Sequence, residues 1–315
     1  MSVYTALTAA QIQAFADQYQ RRVQHIQPIQ NGIENSNWFV DFTDGVLAVL
    51  TLFEELNFAQ AHSLAGLLDA IAQSGLPVAA PYPNVVGERL GWLAEKPAQF
   101  APRLRGQHPM HPNQAQCQAM GEGLARLHVA MQSITLDKPN AHGQAWWQQT
   151  AAELRVTMSH DDQCLLDQLF AQFAQVRMTV GELPRGLIHG DLFRDNTLFL
   201  GDMLSGMLDF SECCIDEYVL DIAITLNDFC SSWPNVDLNQ QKYADFLAGY
   251  QQVRPLTDAE KTALPVYLAM AAGRFWLSRL QVAQRNQAEG RTGEHVLQKD
   301  PNQMREMVRA RLTDC

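Results

Sequence analysis

The sequence predicts an α+β chain of two lobes: a small N-terminal lobe built on an antiparallel sheet, and a larger C-terminal lobe that is mostly helical. Three observations predict it. The N-terminal third mixes helical stretches with short apolar runs separated by turn dipeptides. After Pro102 the apolar periodicity becomes helical over long segments. One strand-rich island, residues 186–210, interrupts those helices. With 315 residues, 47% of them hydrophobic, the chain can bury a sizeable core in one large domain or two medium ones. Residues 1–103 are assigned to the first lobe and 104–315 to the second.

The elements follow in order. Thr8 and Gln11 have the spacing of a capping box, and Leu7 and Ile12 can staple the entry, so a helix is expected from there to about Arg22. Asn37–Thr43 and Val46–Phe53 flank Asp44-Gly45, a two-residue hairpin signal. Phe58–Ser74 reads as a helix closed by Gly75. Val85–Arg103 reads as strand with turns at Gly87-Glu88 and Glu95-Lys96. Helices are expected over Asn113–Met131, Gln144–Met158 and Asp161–Val180, and again from Asp221 onward.

Composition narrows the function. The net charge is -11 and no Lys/Arg block occurs, which argues against a nucleic-acid partner. Any phosphate must be held by local cations, backbone N–H groups or a metal. The longest uncharged apolar stretch, Ala263–Gly273, is shorter than the ~18 residues of a membrane span, and the first residues carry no signal-peptide pattern. Cys117, Cys164, Cys213, Cys214, Cys230 and Cys315 are irregularly spaced without a C-x-x-C pair, as expected of reduced thiols. A cytoplasmic protein with no membrane partner is expected.

The most informative stretch is Leu187-Ile188-His189-Gly190-Asp191-Leu192-Phe193-Arg194-Asp195-Asn196. An Asp followed five residues later by Asn is the spacing of a kinase catalytic loop: Asp191 would accept a hydroxyl proton and Asn196 would bind a metal. Asp209 returns eighteen residues after Asp191. With Gly201-Asp202 as a hairpin turn, Asn196 opposes Met207 and Asp209 opposes Arg194, which brings Asn196 and Asp209 to one side. Two hard oxygen ligands there suit Mg²⁺, whose remaining shell comes from phosphates and water. Each residue alone reads more readily as a turn or structural residue; the joint spacing points to phosphoryl transfer from ATP. His189 is expected to brace the loop. A weaker signal is the loop before the second apolar run. There Gly32, Asn35, Ser36 and Asn37 could offer backbone N–H groups to phosphates.

These residues resemble the aminoglycoside phosphotransferase/choline kinase-like group of the protein-kinase-like superfamily, and within it the homoserine-phosphorylating family. The likeness is carried by Gly32–Asn37, Leu50–Glu54, His189–Asn196, Asp221–Asp228 and Arg274–Leu280. It implies a bilobal kinase-like fold with ATP in the cleft, Mg²⁺, and phosphorylation of the hydroxyl of L-homoserine on the route to threonine. It also implies Asp191 as base, Asn196 and Asp209 as metal ligands, and Asp221 as a brace for the catalytic loop. One departure matters. Kinases place a Lys on the third strand, but here Val49-Leu50-Thr51-Leu52-Phe53 has none. With a two-residue turn at 44–45, Thr51 pairs with Trp38, shares a face with Ser36 and occupies the Lys position. Glu54 or Glu55 is then left without a cation to pair.

For the substrate, a carboxylate is best held by a forked Arg. Candidates are Arg194, Asn227, Asp228, Arg274, Trp276 and Arg279. Arg274 and Arg279 lie about 140° apart on a straight helix, so at most one faces the substrate squarely. Trp276 reads more readily as core, and each Arg equally as a surface or structural ion pair. Two further readings stand beside this one: a kinase for choline, an aminoglycoside or a methylthio-sugar, and a pseudokinase-like binding module supported only by the missing Lys.

Overall fold

Helix α1 (Ala9–Asp17) begins where its capping box dictates: the Thr8 hydroxyl accepts the Gln11 N–H and the Gln11 side chain answers the Thr8 N–H. It stops short of Arg22 because Gln20 turns into the left-handed region, φ +53°. The structure, a computed structural model, describes residues 5–29, 35–232, 234–290 and 299–313. Chain packing divides it into two units, Met1–Gly106 with Ser205–Leu208, and Gln107–Leu204 with Asp209–Cys315.

The first unit holds a five-stranded antiparallel sheet in the order β1-β2-β3-β5-β4. Its strands are β1 (Val23–Pro28), β2 (Ser36–Phe42), β3 (Leu47–Leu52), β4 (Gly91–Leu93) and β5 (Lys96–Pro102), with α2 (Phe58–Gln73) between β3 and β4. The sequence reading missed β1, a polar edge strand with no burial alternation to betray it. The other strands alternate: Trp38, Val40 and Phe42 turn inward with Leu50, Leu52 and Phe100 onto Ile12 and Phe15 of α1. Phe15, Tyr19, Phe42 and Phe100 form an aromatic cluster with ring centroids 5.2–5.6 Å apart.

Two turns differ from expectation. The β2–β3 hairpin has a three-residue loop, Thr43–Gly45: the Phe42 N–H donates to the Val46 carbonyl at 2.9 Å, and Gly45 takes φ +82°. The register therefore pairs Asn37 with Thr51 and Ser36 with Leu52. A one-residue slip moves every side chain to the other face. Thr51 thus shares its face with Asn37, and Ser36 lies on the α1 side with Trp38. The β4–β5 turn is Ala94-Glu95, both residues at positive φ. A tight hairpin turn that twists with its strands needs this conformation at both central residues.

The second unit contains α3 (Gln114–Met131), α4 (Gln144–Leu154), α5 (His160–Val180), α6 (Tyr218–Phe229), α7 (Gln240–Val253), α8 (Asp258–Ala288) and α9 (Pro301–Thr313). Between α5 and α6 in chain order run β6 (Arg185–Ile188), β7 (Thr197–Leu200), β8 (Met203–Met207), whose residues from Ser205 on are assigned to the first unit, and β9 (Cys214–Glu217). β6 pairs with β9, and β7 with β8 as the Gly201-Asp202 signal requires; a short β10–β11 ladder follows α6. Every residue of α6 is buried. A helix enclosed on all sides needs partners for its polar groups, and α6 carries Asp221, Asn227 and Asp228. Among the described residues no helix is long and apolar enough to cross a membrane.

Helices α3 and α7 touch backbone to backbone through Gly121 and Gly249. A Cβ at Gly249 would meet the Gln118 carbonyl oxygen at 2.1 Å, and one at Gly121 the Phe246 oxygen at 2.0 Å. Gly249→Ala is therefore expected to cost about 1–3 kcal/mol as the helices are forced apart. Urea unfolding checks this, and a midpoint equal to that of the unaltered chain would refute the close-packing argument.

Candidate active site

Strand β6 ends at Ile188 and delivers His189-Gly190-Asp191 into a loop that a 3₁₀ turn, Arg194–Asn196, closes before β7. The Asn196 amide donates to the Asp191 carbonyl at 2.8 Å and to its carboxylate at 3.1 Å. The five-residue spacing thus ties the two side chains directly. Burial pushes the Asp191 carboxyl up to about 8; the negative charges of Asp209 and Asp195 add to this, while Arg274 and Lys299 oppose it. A carboxylate so raised is a far stronger base than a solvated one, and a pKa near working pH suits proton transfer.

Asp209 sits at φ +56°. That conformation is strained for a side-chain-bearing residue, though least so for Asp and Asn. Its Oδ1 is held by the Ser211 hydroxyl at 2.7 Å and the Ser211 N–H at 3.3 Å. The Asn196 nitrogen is committed to Asp191, so its Oδ1 is the atom left for a cation, as is Asp209 Oδ2. Among the described residues no group of three or more His, Cys, Asp or Glu is gathered to hold a metal. One amide oxygen and one carboxylate fit Mg²⁺, which takes few protein ligands and completes its shell from phosphates.

The loop is braced from beneath. Buried Asp221 accepts the N–H groups of His189 and Gly190, both at 2.8 Å, and the His128 Nε2–H at 2.9 Å. Burial alone would raise the Asp221 carboxyl; the His128 bond, nearby charge and the Gly190 N–H outweigh it and hold it below its ordinary value. Burial likewise lowers His128, against the pull of Asp221. A neutral His128 donating through Nε2 accepts the Tyr250 O–H at Nδ1, 2.7 Å away. Arg254 in turn donates to Tyr250 at 3.1 Å and to Glu260 at 2.8 Å. His189 is wholly buried, its ring 4.5 Å from that of Phe210, and its Nδ1 accepts the Asp191 N–H at 3.3 Å.

The substrate candidates separate. Arg194 is spent on Asp228 (Nε to Oδ2, 2.9 Å) and on the Met110 carbonyl (2.7 Å). Asn227 donates to the Leu268 carbonyl at 2.7 Å and accepts from Arg311 at 2.9 Å. Asp228 is buried and also accepts the Arg194 N–H, so these three hold the fold. Trp276 is 2% exposed and belongs to the core, with no surface for a substrate. Arg279 donates to the Asp300 carbonyl at 2.8 Å and to Gln303 at 3.2 Å. Arg274, five positions earlier, reaches Glu212 at 2.7 Å and has its guanidinium carbon 4.0 Å from the Phe275 ring centre. Arg274 is the candidate whose charge acts most strongly on Asp191. Glu212 and His142, its neighbours, were not singled out in the sequence because no spacing ties them to Arg274.

In the first unit Gly32 falls outside the described residues. Asn35 Oδ1 accepts the Glu54 N–H at 3.4 Å, and the Asn35 carbonyl accepts from Asn37 at 3.2 Å. Thr51 donates to Asn37 Oδ1 at 2.8 Å. Gln99 stands opposite Thr51 on β5, so Asn37, Thr51 and Gln99 form a polar row across three strands. Gln99 Oε1 is buried and has no partner among the described residues. Glu54 is not left unpaired, contrary to the sequence reading: Lys96, Ser36 and Thr5 all donate to it. Burial would raise Glu54, and those three donors bring it below its ordinary value. Because Ser36 faces α1, this cluster lies across the sheet from Thr51 and puts no lysine at the Thr51 position.

The antiparallel lobe, the helical lobe and an Asp–Asn–Asp loop braced by a buried Asp define a kinase-like phosphotransferase. The profile of the phosphotransferase enzyme family matches residues 25–256, and the chain belongs to that family. It is similar to a homoserine kinase of Polaromonas naphthalenivorans, 40% identical over 82% of this chain and 82% of the relative. It is also similar to a homoserine kinase of Methylobacillus flagellatus, 39% identical over 96% and 92%. The fold matches a solved amicoumacin kinase with a TM-score of 0.68 at 15% identity, over 98% of this chain and 94% of that one.

Proposed function

We infer that this chain is an ATP-dependent kinase that phosphorylates the side-chain hydroxyl of L-homoserine. The observation that carries the substrate is the near-full-length similarity to curated homoserine kinases. Arg274, acting on Asp191, supplies a cation for the substrate carboxylate. In the reaction, Asp191 takes the hydroxyl proton as the alcohol oxygen forms a bond to the γ-phosphorus of ATP. The bond from that phosphorus to the β,γ-bridging oxygen breaks, and ADP leaves with the electron pair. Asn196 keeps the Asp191 carboxylate aimed, and Asp221 fixes the loop that carries both. Asn196 and Asp209 would hold Mg²⁺, which neutralises phosphate charge when bound.

The N-terminal lobe is the proposed nucleotide-binding unit, with Asn37 and Thr51 on its nucleotide face. Five free cysteines among the described residues support a cytoplasmic, reducing location.

The test compares L-homoserine with 3-aminopropanol, which keeps the amine and hydroxyl but lacks the carboxylate. A charged hydrogen-bonded pair is worth about 1.5–3 kcal/mol, so homoserine should win by roughly 10–150-fold in kcat/KM. Arg274→Ala should narrow that preference mainly through homoserine KM, and Arg279→Ala should narrow it less. Equal use of both alcohols by the unaltered enzyme would sink the carboxylate argument, and a preference for choline or an aminoglycoside would sink the homoserine reading.

A further inference from the structure

We propose that Glu212 is the ammonium-recognising half of the acceptor site, so that Glu212 and Arg274 together select an α-amino acid alcohol over alcohols lacking either charge. The inference rests on the phosphotransferase reading above and extends it to Glu212, a residue outside the candidate set read from the sequence.

An α-amino acid carries its two charges on one carbon, the ammonium nitrogen about 2.5 Å from the carboxylate carbon. A site that reads both needs an anion and a cation side by side. Arg274 Nη2 and Glu212 Oε2 are 2.7 Å apart. Neither is exhausted by the pairing. A guanidinium has five N–H donors. Arg274 is 8% exposed, yet its Nε and Nη1 make no hydrogen bond among the described residues. Such under-use of a buried guanidinium is costly unless a ligand completes it. Glu212 likewise spends only Oε2, on Arg274 and on the His142 Nδ1–H at 2.8 Å, leaving Oε1 to accept.

Position agrees with chemistry. Glu212 lies against Gly190, the residue before the proposed base: a Cβ at Gly190 would stand 3.0 Å from the Glu212 carbonyl oxygen and 3.6 Å from its Cβ. Asp191 and Glu212 are therefore neighbours through their backbones. Both anchors are held in advance, which lowers the entropic cost of binding. The Arg274 guanidinium sits 4.0 Å from the Phe275 ring centre, and the His142 ring packs edge-on against Trp146. Burial would raise Glu212, but the His142 bond and the Arg274 charge bring it down to about 2, so it stays ionised at working pH.

The experiment measures kcat/KM for L-homoserine and for 4-hydroxybutyrate, which keeps the carboxylate and hydroxyl but lacks the amine. The unaltered enzyme is expected to favour homoserine strongly. Glu212→Gln is expected to reduce that ratio roughly 10–150-fold, mainly through homoserine KM, and Glu212→Asp to reduce it less. A ratio unmoved by Glu212→Gln, with both substrates losing equally, would overturn the proposal and leave Glu212 as a support for Arg274. Should Glu212→Gln not fold, a wild-type ratio near one, or a Glu212→Asp ratio equal to wild type, overturns it as well. If the enzyme instead prefers another α-amino acid alcohol, the homoserine reading fails alone, and the same ratio against that alcohol's deaminated analogue decides Glu212. A preferred alcohol with no α-amino acid group removes both.

Discussion

Asp191→Asn is expected to lower kcat by about 10²–10⁴-fold, the usual contribution of a positioned general base, with KM for ATP little changed. The substitution preserves shape and keeps an oxygen for the Asn196 amide, so the loop should hold its form. It removes the atom that takes the hydroxyl proton. Because burial makes the native carboxyl an unusually strong base, an amide cannot substitute for it. Steady-state kinetics with saturating homoserine checks this; turnover near that of the unaltered enzyme would take Asp191 out of the role.

Asp209→Ala should abolish Mg²⁺-dependent turnover, a larger effect than that of Asn196→Ala. Asp209 brings a full negative charge to the proposed metal position, whereas Asn196 brings a neutral amide oxygen whose partner nitrogen is tied to Asp191. Loss of the carboxylate removes the principal ligand for the ion and with it the charge that offsets the phosphates. A second consequence is structural. Asp209 occupies φ +56° with its carboxylate held by Ser211, so Ala at that position, which tolerates the left-handed region less well and loses that hold, strains the turn as well. Titration of activity with Mg²⁺ separates the two: an unshifted curve in Asp209→Ala would contradict the metal assignment.

The candidate catalytic loop was legible because its contacts are local. Asp191 and Asn196 lie five residues apart, and the contact between them is the one their spacing implies. The helices were legible wherever a cap accompanied a periodic segment, as at Thr8 and Gly75. What escaped has physical reasons. A two-residue and a three-residue hairpin share the same Asp-Gly signature with Gly45 at positive φ in both, and they differ at Asp44, which here stays out of the left-handed region; that one residue decided which face Thr51 occupies. The edge strand β1 buries nothing in alternation, so no pattern announces it. Glu212 and Arg274 are separated by 62 positions, and His128 and Asp221 by 93. Such pairs exist only once α3, α6 and α8 have packed, and no spacing in the chain encodes them. Arg274 and Arg279 illustrate the boundary: helical geometry foretold that they would diverge, and packing decided that Arg274 meets Glu212 while Arg279 meets Asp300.

The most direct test of the account is phosphorus NMR of the chain incubated with Mg²⁺, ATP and L-homoserine. The account predicts a phosphomonoester on the homoserine hydroxyl that accumulates one-for-one with ADP, and a rate of accumulation lowered by the expected factor in Asp191→Asn. ADP and free phosphate without phosphohomoserine, or transfer at an undiminished rate by Asp191→Asn, would contradict it.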